Sequence, residues 1–396
     1  MKAQDRHSHK TALVLSGGGS RGAYQIGAWR AINELGIHYD MVVGVSVGAL
    51  NGAMATQGNQ VLAEELWRRV ETDNVFEIEA GAQPVDYARE LISKGGVSSL
   101  PLLRLVKKYA PEEAIRSSKV DFGLLTTELP TLKPHYLWKE DIPQGLMEDY
   151  IVASASVFPG VKPKRINGVD YVDGGIINVM PIHMAVERGA TKVIAVYLRA
   201  VGRFDAKKEL SCCDDITLIQ PNFDLGNFLV FDRNNSNRLI RLGYLDTMKT
   251  FGVYDGDFYA FIKGHFDKKT LKGADAAAHM LNLDPLILYS KEYFMESLDR
   301  GIVVAQLKQE EELRNLREAS DIKDLLKKNH PLIDTANLLT GIKSVLDYAN
   351  REAITLLIAN DLKEKGEKSL FSAPLAKRTL GEQFTAAEFI VNNNMI

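Results

Sequence analysis

The stretch Met41-Val42-Val43-Gly44-Val45-Ser46-Val47-Gly48-Ala49-Leu50-Asn51-Gly52 decides how this chain folds. An apolar run leads into Gly44-Val45-Ser46-Val47-Gly48, and a good helix start follows. That order predicts a strand, a sharp turn and a helix, with a serine at the apex. Such an elbow lifts one hydroxyl clear of the backbone and aims it at a substrate. Glycines two positions to either side let the chain turn without Cβ clashes. A G-x-S-x-G match alone has low specificity, so the surrounding segments decide its meaning.

Upstream, Gly17-Gly18-Gly19-Ser20-Arg21-Gly22 follows the apolar run Thr11-Ala12-Leu13-Val14-Leu15. It opens a segment with Ile26, Trp29, Ile32 and Leu35 at helical spacing. The glycine run fits G-x-G-x-x-G, the dinucleotide fingerprint, which needs an acidic residue at the end of the next strand. Asp40 has about the right separation but stands at that strand's beginning, and Ser46 occupies the far end. The P-loop pattern fails as well, because no Gly-Lys-Ser/Thr follows. What remains is a row of backbone N–H groups at a helix N-terminus, suited to anionic oxygen, including the oxyanion of acyl transfer. The Val47 N–H, directly after Ser46, is a natural second donor. A third segment, Tyr171-Val172-Asp173-Gly174-Gly175, closes an apolar strand. Taken alone it reads as a strand-terminating turn, since Asp-Gly is a common turn pair.

The three segments in this order resemble the patatin-like phospholipase family. The resemblance covers residues 11–198 and extends to about residue 250; Ala153-Ser154-Ala155-Ser156-Val157-Phe158-Pro159, Asn178 and Pro181 also fit it. It implies a lipid acyl hydrolase of the phospholipase A or lysophospholipase type, with a Ser-Asp dyad and no histidine. By the matching motifs Ser46 is the nucleophile and Asp173 the base. Gly17, Gly18 and Gly19 form the oxyanion loop, with Val47 beside them. The implied substrate is a glycerophospholipid or other acyl lipid, cleaved through an acyl-enzyme. No cofactor or metal is expected, as there is no His/Cys cluster at zinc spacing and no EF-hand pattern. An ordinary aspartate, with a pKa of about 4, is a poor base for a serine, so burial of Asp173 is expected to raise it. Arg21 is a candidate substrate-binding residue, through a lipid phosphate, or else a brace for the loop through carboxylate contacts.

Two rival functions stand beside this reading. One is a nucleotide-dependent oxidoreductase using the Gly17 loop; the other is a non-catalytic lipid-binding protein, against which the intact Ser46 and Asp173 argue. A Ser-His-Asp triad is disfavoured. His183 follows Asp173 too closely and sits in an expected helix, and His265, His279 and His330 lie in the helical region without a local motif.

Composition bounds the rest. The 396 residues are 45% hydrophobic and 25% charged, ordinary for a globular protein with a large core. A net charge of -3 without a basic tract argues against nucleic acid. No apolar run reaches signal-peptide or membrane-spanning length, and Cys212 and Cys213 are adjacent. A cytoplasmic setting with peripheral membrane contact is therefore expected. Three regions follow: a tail (1–10), a catalytic domain (11–250) and a helical C-terminal region (258–396). In the catalytic domain, strands are expected at 11–15, 42–43, 120–126, 150–153, 169–172 and 192–198, and helices at 23–35, 61–70 and 181–188. The alternation predicts a three-layer α/β/α fold with a mostly parallel sheet. Residues 306–317 and 331–357 are expected helices. Lys162, Lys164 and Arg165 read as a solvated hairpin more readily than as a headgroup site. Residues 100–109 read as a helix covering the core more readily than as an interfacial lid.

Overall fold

Strand β1 (Lys10–Leu15) is apolar on both faces over residues 12–15, and all four of those residues are buried. That pattern belongs to the middle of a parallel sheet covered by helices on both sides. In the computed structural model, which describes residues 9–77, 96–318, 350–372 and 374–396, β1 lies between β2 (Met41–Val45) and β7 (Ala190–Val196), parallel to both. The parallel array continues outward to β3 (Asp121–Leu129) on one side and β8 (Ile216–Ile219) on the other. β4 (Lys133–Trp138), β5 (Lys164–Ile166) and β6 (Val169–Asp173) complete the sheet through antiparallel pairs.

Among the described residues, the α-helices of this unit, Met1–Phe251, are α1 (Ala23–Glu34), α2 (Val47–Thr56), α3 (Gln60–Trp67), α4 (Thr72–Val75), α5 (Leu100–Tyr109), α6 (Glu112–Ser117), α7 (Met147–Ser154), α8 (Ile182–Glu187), α9 (Ala206–Leu210) and α10 (Arg233–Thr250). On one face, Ala12, Val14 and Val43 pack with Ile182, Met184 and Ala185 of α8. On the other, Gly52 of α2 sits over Val42 and Phe122. Helices on both faces make three layers, as the alternation predicts.

β3 is longer than β2, and two strands share one of its edges. β2 runs along it in parallel until Val45 stands opposite Leu125. β6 takes the remainder in the opposite direction, with Asp170 opposite Leu129 and Asp173 opposite Thr126. The C-terminal ends of β2 and β6 therefore meet head to head on neighbouring residues of β3.

Residues 150–153, expected as a strand, lie in helix α7. A short apolar run does not distinguish strand from helix by period. Here Glu148 and Asp149 complement the dipole in the first turn, while Met147, Ile151 and Val152 are buried. β4, β5 and β8 were not foreseen. Lys164 and Arg165 do lie in a hairpin, β5–β6, where they pair with Asp149 and Asp170.

The second unit, Gly252–Ile396, is mainly helical: α11 (Lys268–Met280), α12 (Lys291–Glu318), α13 (Arg351–Lys365), α14 (Pro374–Thr379) and α15 (Gly381–Asn392). It also holds a small sheet of β9 (Tyr254–Asp255), β10 (Ala260–Ile262) and β11 (Leu288–Tyr289), too short to announce itself in sequence. Phe261 packs edge-to-face on Phe294 with ring centres 5.2 Å apart. Of the expected elements, residues 1–8 of the tail and 331–349 of the second C-terminal helix lie outside the described residues, as does His330.

α1 and α10 cross at two glycines. A Cβ on Gly27 would stand 1.9 Å from the Ile240 carbonyl oxygen, and one on Gly243 would stand 2.0 Å from that of Tyr24. Beside the crossing, the buried Tyr24 hydroxyl donates to Asp246 Oδ2 at 2.8 Å. Gly27→Ala or Gly243→Ala is therefore expected to force the helices apart and to destabilise the unit by about 1–3 kcal/mol, the usual range for overpacking. Urea unfolding measures this; a midpoint equal to that of the parent would show the crossing to be loose.

Candidate active site

Ser46 is the residue at which β2 stops and α2 begins. Its φ of 57° and ψ of -128° lie outside the regions that non-glycine residues prefer. The flanking glycines are required by close approach. A Cβ on Gly44 would lie 2.1 Å from the Gly48 carbonyl oxygen, and one on Gly48 would lie 2.1 Å from that of Leu15. The Ser46 N–H donates to Ser154 Oγ at 2.9 Å, and that hydroxyl donates to the Leu125 carbonyl at 2.7 Å. Ser154 thus pins the elbow to β3 at the point where the two strands meet.

Asp173 ends β6 and is buried. The Ser46 side chain stands beside its carboxylate and favours its charged form. The Gly175 N–H donates to Oδ1 at 2.6 Å, and the Asp173 N–H donates to the Ser156 carbonyl at 2.9 Å. Burial raises the Asp173 pKa to about 6 despite the nearby Ser46 side chain and the Gly175 N–H, which favour the charged form.

The glycine loop lies against the same point. A Cβ on Gly17 would approach the Ser46 Cβ to 3.3 Å. The Gly17 N–H, however, donates to the Val179 carbonyl at 3.0 Å. The expectation that Gly17 is itself an oxyanion donor is corrected accordingly, and its place is one of close approach. The N–H groups of Gly18, Gly19 and Val47 have no hydrogen-bond partner among the described residues. The loop is clamped from outside: the Ser20 N–H donates to the Phe228 carbonyl at 2.8 Å, and the Ser20 hydroxyl donates to that of Asn227 at 2.9 Å. From inside, Gln25 Nε2 donates to the Ser16 carbonyl at 2.7 Å.

Arg21 belongs to this clamp. Its guanidinium donates to the carbonyls of Gly226 and Arg199 at 3.0 and 3.2 Å, so it braces the loop through carbonyls rather than carboxylates. His183 is bound elsewhere: its ring Nδ1 lies 2.7 Å from Glu209 Oε1, and its edge meets Tyr136. Burial alone would raise the Glu209 carboxyl, but hydrogen bonds from His183 and Asn178 outweigh it and hold the group below the usual range. Asp40 accepts from the Thr11 N–H at the beginning of β2, away from the end a ribose would need. Among the described residues no group of three or more His, Cys, Asp or Glu could hold a metal ion.

Comparison with known proteins adds the family. The patatin-like phospholipase family model matches residues 13–186. The chain carries a patatin-like phospholipase domain. This domain is similar to patatin-like phospholipase domain-containing protein 7 of Rattus norvegicus, 28% identical over 194 residues. It is also similar to neuropathy target esterase sws of Drosophila melanogaster, 29% identical over 192 residues, and to lysophospholipase nte1 of Aspergillus terreus, 26% identical over 189 residues. These matches cover 46–47% of this chain but only 12–13% of each relative, so the chain spans about an eighth of their length. Among solved structures, VipD from Legionella pneumophila aligns over 98% of this chain and 91% of its own, with 14% identity and a TM-score of 0.42.

Several residues that shape the site of the patatin-like domain carry no local signal. Ser154 and the clamp at 226–228 act across long sequence separations, and Gln25 reaches back nine residues to Ser16. Ser154 and Ser156 lie in the stretch noted for its resemblance, but no spacing rule assigns them a partner.

The raised pKa of Asp173 is also a statement about stability. Below about pH 4 the group is protonated in both folded and unfolded chains, and the buried charge costs nothing. The cost grows between about pH 4 and pH 6 and is complete above that. Asp173→Asn is therefore expected to stabilise the fold above pH 6, by at most roughly 3 kcal/mol, with the gain vanishing near pH 4. Urea unfolding of both proteins across this range checks it; a gain independent of pH would contradict a buried charge.

Proposed function

We propose that the protein is a lipid acyl hydrolase in which Ser46 and Asp173 form the whole catalytic pair. The reading is carried by one observation: Ser46, at the end of β2, meets the buried Asp173 carboxylate at the end of β6 on neighbouring residues of β3. Asp173 takes the Ser46 proton as Oγ attacks the ester carbonyl carbon. Charge developing on the carbonyl oxygen is received by the N–H groups of Gly18, Gly19 and Val47. One such donor is worth about 2.7–4 kcal/mol in a serine protease. The positive end of α2 points at the same place. Collapse of the tetrahedral intermediate breaks the ester C–O bond, and Asp173 returns the proton to the leaving alcohol. Water then attacks the acyl-Ser46 carbonyl, again giving its proton to Asp173, and the fatty acid leaves as the proton returns to Ser46.

The lipid substrate is supported by the family match and by relatives named as phospholipase, esterase and lysophospholipase. We place the substrate at a membrane surface reached by peripheral contact in the cytoplasm. No helix among the described residues is long and apolar enough to cross a bilayer. The oxidoreductase reading loses its support at Asp40.

Hydrolysis of a lysophospholipid or a short-chain ester tests the scheme. Ser46→Ala is expected to abolish it, and Asp173→Asn to lower kcat by about 10²–10⁴-fold, the range for loss of a general base. His183→Gln retains most activity. For the parent, kcat/KM falls about tenfold per pH unit below pH 6, because only ionised Asp173 accepts the proton. Loss of activity in His183→Gln with the fold intact would return a histidine to the mechanism.

A further inference from the structure

Helix α9 turns its glutamate inward and its leucine outward. Glu209 is its one buried residue, 1% exposed, while the adjacent Leu210 is 37% exposed. A buried carboxylate destabilises a fold unless donors hold it, and here two residues do so. Asn178 Nδ2 donates to Oε1 at 2.7 Å, the His183 N–H donates to Oε2 at 2.9 Å, and the His183 ring Nδ1 lies 2.7 Å from Oε1. The first two of these bonds do not involve the histidine ring, so exchange of that side chain leaves them in place.

Both residues belong to the segment 174–183, which begins at the base and reaches the glycine loop. The Gly175 N–H donates to Asp173 Oδ1 at 2.6 Å, and the Val179 carbonyl accepts from the Gly17 N–H at 3.0 Å. Val179 is fixed on both sides through Asn178, which precedes it and whose Oδ1 accepts from the Met180 N–H at 3.0 Å. The chain just before α9 holds the same stretch. The Arg203 N–H donates to the Gly175 carbonyl at 3.1 Å, and the Arg203 carbonyl accepts from the Val179 N–H at 2.9 Å. The approach is tight, since a Cβ on Gly202 would stand 2.6 Å from the Gly175 carbonyl oxygen and 2.4 Å from Val179 Cγ1.

We infer that Glu209 is a positioning residue for the hydrolase: through Asn178 it fixes residues 175–179, and with them Gly175 against the Asp173 carboxylate and Gly17 against the Ser46 elbow. The inference rests on the hydrolase reading. Packing alone would be served by burying Leu210. A carboxylate fixes direction as well as distance, because each oxygen accepts along its lone pairs. A displacement of about 1 Å caused by a change remote from the reacting atoms lowers rates by about 10²-fold.

The test measures hydrolysis of a short-chain p-nitrophenyl ester by the full chain, with thermal unfolding of each variant. Glu209→Ala is expected to lower kcat by about 30–100-fold and to leave KM within about twofold, because the groups it displaces act in the transition state. Glu209→Gln keeps one acceptor oxygen and regains at least about fivefold of that loss. Asn178→Ala cuts the same link from its other end and carries the test should Glu209→Ala fail to fold; it lowers kcat by about tenfold or more. The double variant is no slower than Glu209→Ala alone, since the two residues act as one connection. Ile115→Ala, at a buried position of α6 outside every contact named here, lowers the unfolding temperature and keeps kcat within about threefold. A kcat within about threefold of the parent in folded Glu209→Ala or Asn178→Ala overturns the inference and leaves the hydrolase reading intact. A loss of kcat in Ile115→Ala as large as that in Glu209→Ala does the same, as does a rise in KM at unchanged kcat. A parent that hydrolyses no ester, and whose Ser46 is not labelled by an ethyl fluorophosphonate probe, overturns both.

Discussion

The head-to-head meeting of β2 and β6 along one edge of β3 is the constraint on which the candidate site depends. Val45 and Asp173 face consecutive residues of β3, Leu125 and Thr126. A parallel and an antiparallel strand cannot continue past one another on the same edge, so both must leave the sheet there. The serine at the end of one and the carboxylate at the end of the other are thereby brought together without any loop having to close over them. Register fixes the contact: a slip of one residue in either strand would turn Ser46 or Asp173 to the opposite face.

The same junction accounts for the chemistry of the acid. A carboxylate between two strand ends, under a glycine loop, has little access to water. The Gly175 N–H and the nearby Ser46 side chain favour its charged form, yet burial still prevails and lifts its pKa to about 6. A carboxylate so placed is more basic than a solvated aspartate and still largely ionised at neutral pH. The arrangement costs stability, as does the left-handed backbone of Ser46. The surrounding interactions offset both: Ser154 joins the elbow to β3, Asn51 and Gln25 hold the turn from within, and the carbonyls of 226–228 hold it from outside.

Sequence carried the local geometry well and the long-range geometry poorly, for physical reasons. Gly44 and Gly48 are dictated by contacts within a few residues or with the adjacent strand, so their spacing around Ser46 is readable. Residues 12–15 of β1 and all of β2 are apolar and announce a covered parallel sheet. Residues 150–153 misled because four apolar residues satisfy a strand and a helical turn equally, and only the sheet's demand for a helix there decides. The small strands β9 to β11 are two or three residues long, and β11 reaches β10 from 28 positions away. Ser154 and Asn51 are polar residues whose partners lie 108 and 29 positions away. Nothing local distinguishes them from other buried polar residues in helices. Gly17 shows the opposite error, in which a correct motif assigns an N–H group that a distant carbonyl has already taken.

The central claim is that Asp173 is a buried base held against Ser46, and the most direct measurement of it is the titration of that one carboxyl. Carbon-13 NMR of protein labelled at the aspartate carboxyl, with Asp173→Asn used to assign the signal, reports its pKa. The account predicts a midpoint near 6, displaced further upward in Ser46→Ala, where the hydroxyl that favours the charged form is gone. A midpoint at or below about 4, the value of an aspartate in water, with no response to Ser46→Ala, would contradict it.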